Sequence, residues 1–152
     1  MQNWLKDLKR NMRVLIDTNI ILDWLMNREP FHDAAECVIR ECLFGELEGY
    51  ITSHSITDLF YILRKDFSFD NRKQLLLLIC RYFQIIPEDK TAIMTVLNDE
   101  HFRDIEDGLQ IICAASERLD YIITRNISDF KYSVIPAIKP ADFLSLLKEG
   151  EF

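Results

Sequence analysis

Carboxylates stand at four separated points of the chain, each just past an apolar stretch or at the opening of a helix-patterned one. They are Asp17 in RVLIDTNIIL, Asp58 in ITSHSITDLF, Asp104 and Asp107 in RDIEDGLQII, and Asp129 in TRNISDF. Asp17 is the sharpest case, because Val14-Leu15-Ile16 precede it and Ile20-Ile21-Leu22 follow at once, so the acid interrupts a run otherwise bound for the core. Asp104 and Asp107 are three apart, a spacing that puts two side chains on one helix face, where like charges repel unless a cation screens them. Oxygen donors in such number suit Mg²⁺ or Mn²⁺, which keep several waters and take one or two direct carboxylates each. The chemistry open to such a centre is hydrolysis, with the ion lowering the pKa of a bound water and shielding charge that grows on an attacked phosphate.

Each acid also has a purely structural use. Asp is a strong N-cap and is favoured near the positive end of a helix. Asp104 with Asp107, and Ser55 with Asp58, both mimic a capping box. Asp129 can bond its own backbone in a turn. Thr18 or Asn19 could cap the helix that begins beside Asp17, which would leave that acid without a structural duty. The hydroxyls of Thr18, Ser53 and Thr124 can hold a metal-bound water or a phosphate, or simply satisfy backbone groups. His32, His54 and His101 sit in different segments with no short spacing between them, so surface or capping roles fit them better than catalysis.

Elements able to bring these acids together follow from hydrophobic patterning. Short β-branched runs at Val14–Ile16, Gly49–Thr52, Gln84–Ile86, Tyr121–Thr124 and Val134–Ile135 alternate with helix-patterned segments. The helices are expected at Ile20–Asn27, Phe31–Phe44, Ser55–Lys65, Asn71–Tyr82, Thr91–Asn98, Asp104–Leu119 and Pro140–Lys148. Strands that are continuously apolar rather than alternating imply a parallel sheet with helices on both faces, an α/β/α sandwich of about four to five mostly parallel strands. In such sheets ligand sites form where strands end and turn into helices, which is where every acid above lies.

The chain has 152 residues, enough for one domain that buries roughly two-thirds of its unfolded surface. Residues 1–11 read as an extension before a domain spanning 12–152, with Met12 as an alternative start. The longest apolar run, Leu75 to Cys80, is far short of the roughly 20 residues needed to span a bilayer, and the N-terminus has no secretory pattern, so a cytoplasmic protein without a membrane segment is expected. Cys37, Cys42, Cys80 and Cys113 lack paired short spacings and read as buried, reduced thiols. A net charge of −7 opposes loose binding to phosphate backbones, so any nucleic-acid role has to be local to a site. Arg64, Lys65, Arg72 and Lys73 form a basic cluster that reads mainly as solvated helix surface. Phe60, Leu63, Leu75 and Leu78 mark helix faces that seek a core or, second, a dimer partner.

Taken in order, VLIDTNIILDWL, ITSHSITDLFYILRK, RDIEDGLQIICAA, YIITRNISDF and VIPAIKPADFL resemble the successive motifs of a PIN domain, the ribonuclease fold found in VapC-type toxins. The resemblance runs from Arg13 to Leu147. It implies a Mg²⁺- or Mn²⁺-dependent endoribonuclease acting on single-stranded RNA, an antitoxin protein as partner, and a homodimer. Asp17 matches the first family acid and Asp107 the third. Asp58 stands where many members have Glu, and Asn126 stands where many have Asp, with Asp129 the next carboxylate. On this reading Asp17, Asp58, Asp107 and Asp129 are catalytic. Asp17, Asp104, Asp107, Asn126 and Asp129 hold the metal, and Thr18, Asn19, Thr124 and Arg125 meet the substrate. A PIN-like module that binds RNA or protein without cutting is the second reading. A receiver-like domain with Asp17 as an aspartyl-phosphate nucleophile is the third.

Overall fold

The computed structural model describes residues 11–149. Among them five strands and seven α-helices follow one another as β1 (Met12–Ile16), α1 (Thr18–Leu25), α2 (His32–Leu43), β2 (Leu47–Thr52), α3 (Ser53–Ile62), α4 (Phe69–Tyr82), β3 (Gln84–Ile86), α5 (Lys90–Asn98), α6 (Ile105–Ser116), β4 (Tyr121–Ile123), β5 (Ala137–Ile138) and α7 (Pro140–Glu149). The strands form one sheet in the order β3-β2-β1-β4-β5, and every neighbouring pair is parallel. The expected α/β/α sandwich is therefore present. The expected extension at residues 1–11 lies, but for Asn11, outside the described residues.

Successive side chains on β1 point to opposite faces, which divides the core in two. Val14 and Ile16 pack with Ile20, Ile21, Val38, Ile39, Ile51, Leu59 and Phe143 on one face. Leu15 packs with Tyr50, Ile111, Ala114, Ile122 and Phe130 on the other. With β1 buried on both sides, the break in its apolar run at Asp17 falls at the carboxyl edge of the sheet. The chain first steps outward from β1 to β2 and β3, then returns to lay β4 on the other side of β1, so the order reverses between β1 and β4. Crevices at such a reversal are the usual ligand sites of open parallel sheets.

Some boundaries differ from expectation. The last strand is Ala137–Ile138, and Val134, in the run that reads as a strand, is 85% exposed. Pairing begins at Pro136, whose carbonyl accepts from Ile122 N–H. A proline is tolerated there because the strand is at the edge of the sheet. α3 begins at Ser53 directly out of β2, so Ser55 is inside the helix and its hydroxyl bonds Thr18 Oγ1 at 2.7 Å and Thr52 Oγ1 at 3.0 Å instead of closing a capping box with Asp58. Cys42 and Cys113 are buried, and their thiol pKa values are pushed up to about 12 by loss of solvation, but Cys37 and Cys80 are exposed. No helix of the described residues is long and apolar enough to cross a membrane.

Candidate functional site

Asp17 is the first residue past β1 and occupies the N-cap position of α1 in extended conformation, without a side-chain cap bond. Its carboxylate is turned to the sheet end instead, where Thr124 Oγ1 donates to Oδ2 at 2.8 Å and Gln110 Nε2 donates to Oδ1 at 3.3 Å. The alternative that Thr18 or Asn19 caps α1 is not realised. The acid is 5% exposed. Burial pushes its pKa up, opposed by Thr124, by Gln110 and by the backbone N–H groups of Asn19 and Thr18. Donors from the residue after β4 and from α6 thus hold one acid in place at the point where strand order reverses.

α6 supplies the next carboxylates. Asp104 is its N-cap, accepting from Asp107 N–H at 3.0 Å through one oxygen, so the structural use of Asp104 is real. Asp107 lies one turn before Gln110 and points to the same side. Its pKa is pushed up to about 7, first by partial burial and then by the charges of Asp104, Asp129, Asp17 and Glu106. This shift is a measure of convergence, because acids from three separate segments act on a single carboxyl group. Asp129 sits exposed on a short 3-10 turn, Ile127–Phe130, that follows β4, and Asn126 precedes it with its N–H donating to Thr124 Oγ1 at 3.1 Å. Asp104, Asp107, Ser128 and Asp129 line a cleft of about 510 Å³ whose walls also carry Arg103, Lys131 and Tyr132.

Other residues singled out from the sequence take different places. Thr124 is fully buried and its hydroxyl is used by Asp17 and Asn126, so it positions the acid from beneath. Thr18 is buried against Ser55, and Asn19 is half-buried. Arg125 forms an ion pair with buried Asp23, with nitrogen-to-oxygen distances of 2.9 and 3.3 Å, and lies 4.2 Å over the Phe31 ring. Asp58 has Glu106 and His54 as close neighbours. The basic cluster covers aromatic rings, Arg64 over Tyr61 and Arg72 over Phe60. Sequence reasoning passed over Glu106, Gln110 and the cleft cations Arg103 and Lys131, and it read His54 as a surface or capping residue. The pattern Glu106-Asp107-x-x-Gln110, with polar groups on the face of α6 that carries Asp107, was the available signal for two of them.

The donor set bears on which group could bind. Asp17, Asp107, Asp104, Asp129 and the Asn126 side-chain carbonyl offer hard oxygen donors, and the charges of the other three acids add to partial burial in raising Asp107. A hard dication fits that set and relieves the repulsion.

A PIN domain family model matches residues 13–128. Ribonuclease VapC1 of Aquifex aeolicus is 30% identical over 122 residues, covering 76% of this chain and 83% of that protein. Among solved structures, a toxin-antitoxin complex from Klebsiella pneumoniae superposes with a TM-score of 0.62 at 22% identity, covering 84% of this chain and 97% of the other. VapBC2 from Rickettsia felis, bound to a DNA fragment from its promoter, superposes with a TM-score of 0.61 at 19% identity, covering 84% and 98%. At these identities the structural matches speak to the fold.

Proposed function

The chain belongs to the PIN domain family, and from that premise we propose that it is a Mg²⁺- or Mn²⁺-dependent endoribonuclease that hydrolyses single-stranded RNA, acting as the toxin of a toxin-antitoxin pair. The observation that carries the reading is the gathering of acids at the sheet reversal, with Asp17 held by Thr124 and Gln110 and with Asp104, Asp107 and Asp129 lining one cleft, where burial first and the neighbouring charges second raise Asp107 to about 7. Carboxylates crowded to that degree at a sheet reversal cost the apo fold stability, and such clusters are characteristic of functional sites. The relationship to a VapC-type ribonuclease supports RNA as substrate.

Asp17 and Asp107 would bind the ion directly, with Asp104, Asp129 and Asn126 completing the shell directly or through water. When bound, the ion supplies a water of lowered pKa and shields charge at the phosphate. Thr124 and Gln110 keep Asp17 in one rotamer, so little reorganisation is needed when RNA arrives. Asp58, beside Glu106, would orient the attacking water or hold a second ion. Arg103 and Lys131 line the same cleft and can hold the flanking phosphates, which answers the objection raised by the net charge of −7. Arg125 would act on the substrate only by leaving Asp23; its role in the fold is to tie the segment after β4 to α1.

Asn126 favours a second reading, a module that binds without cutting, because an amide at that place brings no charge to the ion. One comparison separates the two. The Asp17→Asn protein should fold normally, since the new amide can still accept from Thr124, and it should lose Mg²⁺- or Mn²⁺-dependent cleavage of single-stranded RNA by about a hundredfold or more. Cleavage equal to that of the unsubstituted protein would refute the assignment. No metal-dependent cleavage in either protein, with RNA still bound, would establish the binding module.

A further inference from the structure

A second group of potential ligands lies beside the aspartate cleft. His54 and Asp58 are four residues apart on α3, a spacing that places both on one helix face, and Glu106 reaches them from the first turn of α6. One donor atom from each lies within 4.8 Å of the others. That spread is close to the separation of ligands around one ion at about 2.1 Å from each.

The imidazole is arranged as a ligand would be. Its Nδ1 is 2.8 Å from Glu88 Oε2, and Glu88 is itself fixed by the His54 backbone N–H at 2.7 Å and by Ser53 Oγ at 2.8 Å. A carboxylate that accepts from Nδ1–H fixes the tautomer in which Nε2 carries the lone pair. That Nε2 atom is buried and has no hydrogen-bond partner among the described residues. An unmet lone pair away from water costs free energy, and the imidazole that carries it stands in a group with the carboxylates of Asp58 and Glu106. Carboxylate, imidazole and metal in sequence is the usual support for a ligating histidine. The other His-and-acid group, Glu29, His32 and Asp33, lacks this arrangement, because His32 Nδ1 and Nε2 already face Asp33 and Glu36 and Asp33 is highly exposed.

We propose that His54, Asp58 and Glu106 form a second cation site that takes a divalent transition ion with affinity for nitrogen, such as Mn²⁺, in preference to Mg²⁺. One nitrogen and two carboxylates leave coordination positions open, and imidazole raises affinity for transition ions while adding little for Mg²⁺. The site takes up the second-ion option for Asp58 in the nuclease reading, yet its occupancy does not require that RNA be cut.

The test uses untagged full-length protein with two equivalents of Mn²⁺, read by electron spin echo envelope modulation for coupling to ¹⁴N and by calorimetric titration with Mn²⁺ and with Mg²⁺. The unsubstituted protein should show imidazole ¹⁴N modulation and bind Mn²⁺ at this site more tightly than Mg²⁺. His54→Gln should abolish the modulation and weaken Mn²⁺ binding by about tenfold or more, and Glu88→Gln by about 10- to 100-fold through loss of the imidazole's support. The modulation should persist in Asp17→Asn and in His32→Gln, which separates this site from the aspartate cleft and from the other histidine cluster. Absence of ¹⁴N modulation in the unsubstituted protein overturns the proposal, as does its survival in His54→Gln or its loss in His32→Gln. Loss of cleavage in Asp17→Asn with the modulation intact supports both readings, whereas intact cleavage there with the modulation present overturns the nuclease assignment alone.

Discussion

At the scale of single residues the molecule is governed by one crowded carboxyl group. Asp107 has a folded-state pKa of about 7 against an ordinary value near 3.8, so the folded chain holds a proton there that the unfolded chain has released. The folded state therefore binds more protons between these values, and the contribution of Asp107 to stability is full below about pH 4 and is lost as pH rises through 7. Thermal melts of the apo protein should show this loss, Asp107→Asn should flatten it, and millimolar Mg²⁺ or Mn²⁺ should restore stability most strongly above pH 7. A melt whose pH dependence is unchanged in Asp107→Asn would contradict this account. Asp17 and Asp107 were legible in the sequence because a carboxylate between apolar residues, or at a helix opening, stands out against its surroundings. Gln110 was not, since its bond to Asp17 joins positions 93 apart in the chain and leaves no local trace. Nor was the role of His54, because a single imidazole without a second histidine nearby has no pattern to read. Glu106 was hidden by resemblance to an ordinary acid in a helix's first turn.

Elements set how firmly those residues are held. α6 carries Asp107 and lies against α5 at Gly108, where an added Cβ would come within 2.5 Å of Val96 Cγ1 and 3.2 Å of Phe102. Gly is therefore used here for close helix approach, even though Ala is the better helix former by about 1 kcal/mol. Gly108→Ala should destabilise the protein by about 1–2 kcal/mol net of that gain, measured by urea unfolding, and should lower activity by displacing Asp107. A more stable Gly108→Ala protein would mean that α5 yields easily. The strand and helix alternation was legible because continuous β-branched runs and helical periodicity differ sharply. The last strand was misplaced by a few residues, since Val134 and Ile135 have the right side chains but Ser133 Oγ binds the Ile135 carbonyl and pairing starts only at Pro136. Composition cannot reveal which of two adjacent short stretches meets the sheet edge.

For the whole molecule, the sheet is covered on both faces, yet α4 carries Phe69, Leu77 and Leu78 to the surface, and α3 exposes Tyr61. Large apolar side chains in that number on neighbouring helices mark an association surface. We expect a homodimer at micromolar concentration, seen by sedimentation as twice 18.0 kDa, and expect Leu77→Glu to shift it to monomer. A monomer at every concentration would leave that face for a different protein, of which an antitoxin is the first candidate. Under the proposed function, the order of the strands also bears on when the site is assembled. A ribosome delivers the chain from the N-terminus, and Asp17 emerges long before Thr124, its partner 107 residues later. Until β4 settles beside β1 the nascent polypeptide owns an acid but no pocket, so a nuclease of this topology would have no working centre until synthesis is nearly finished.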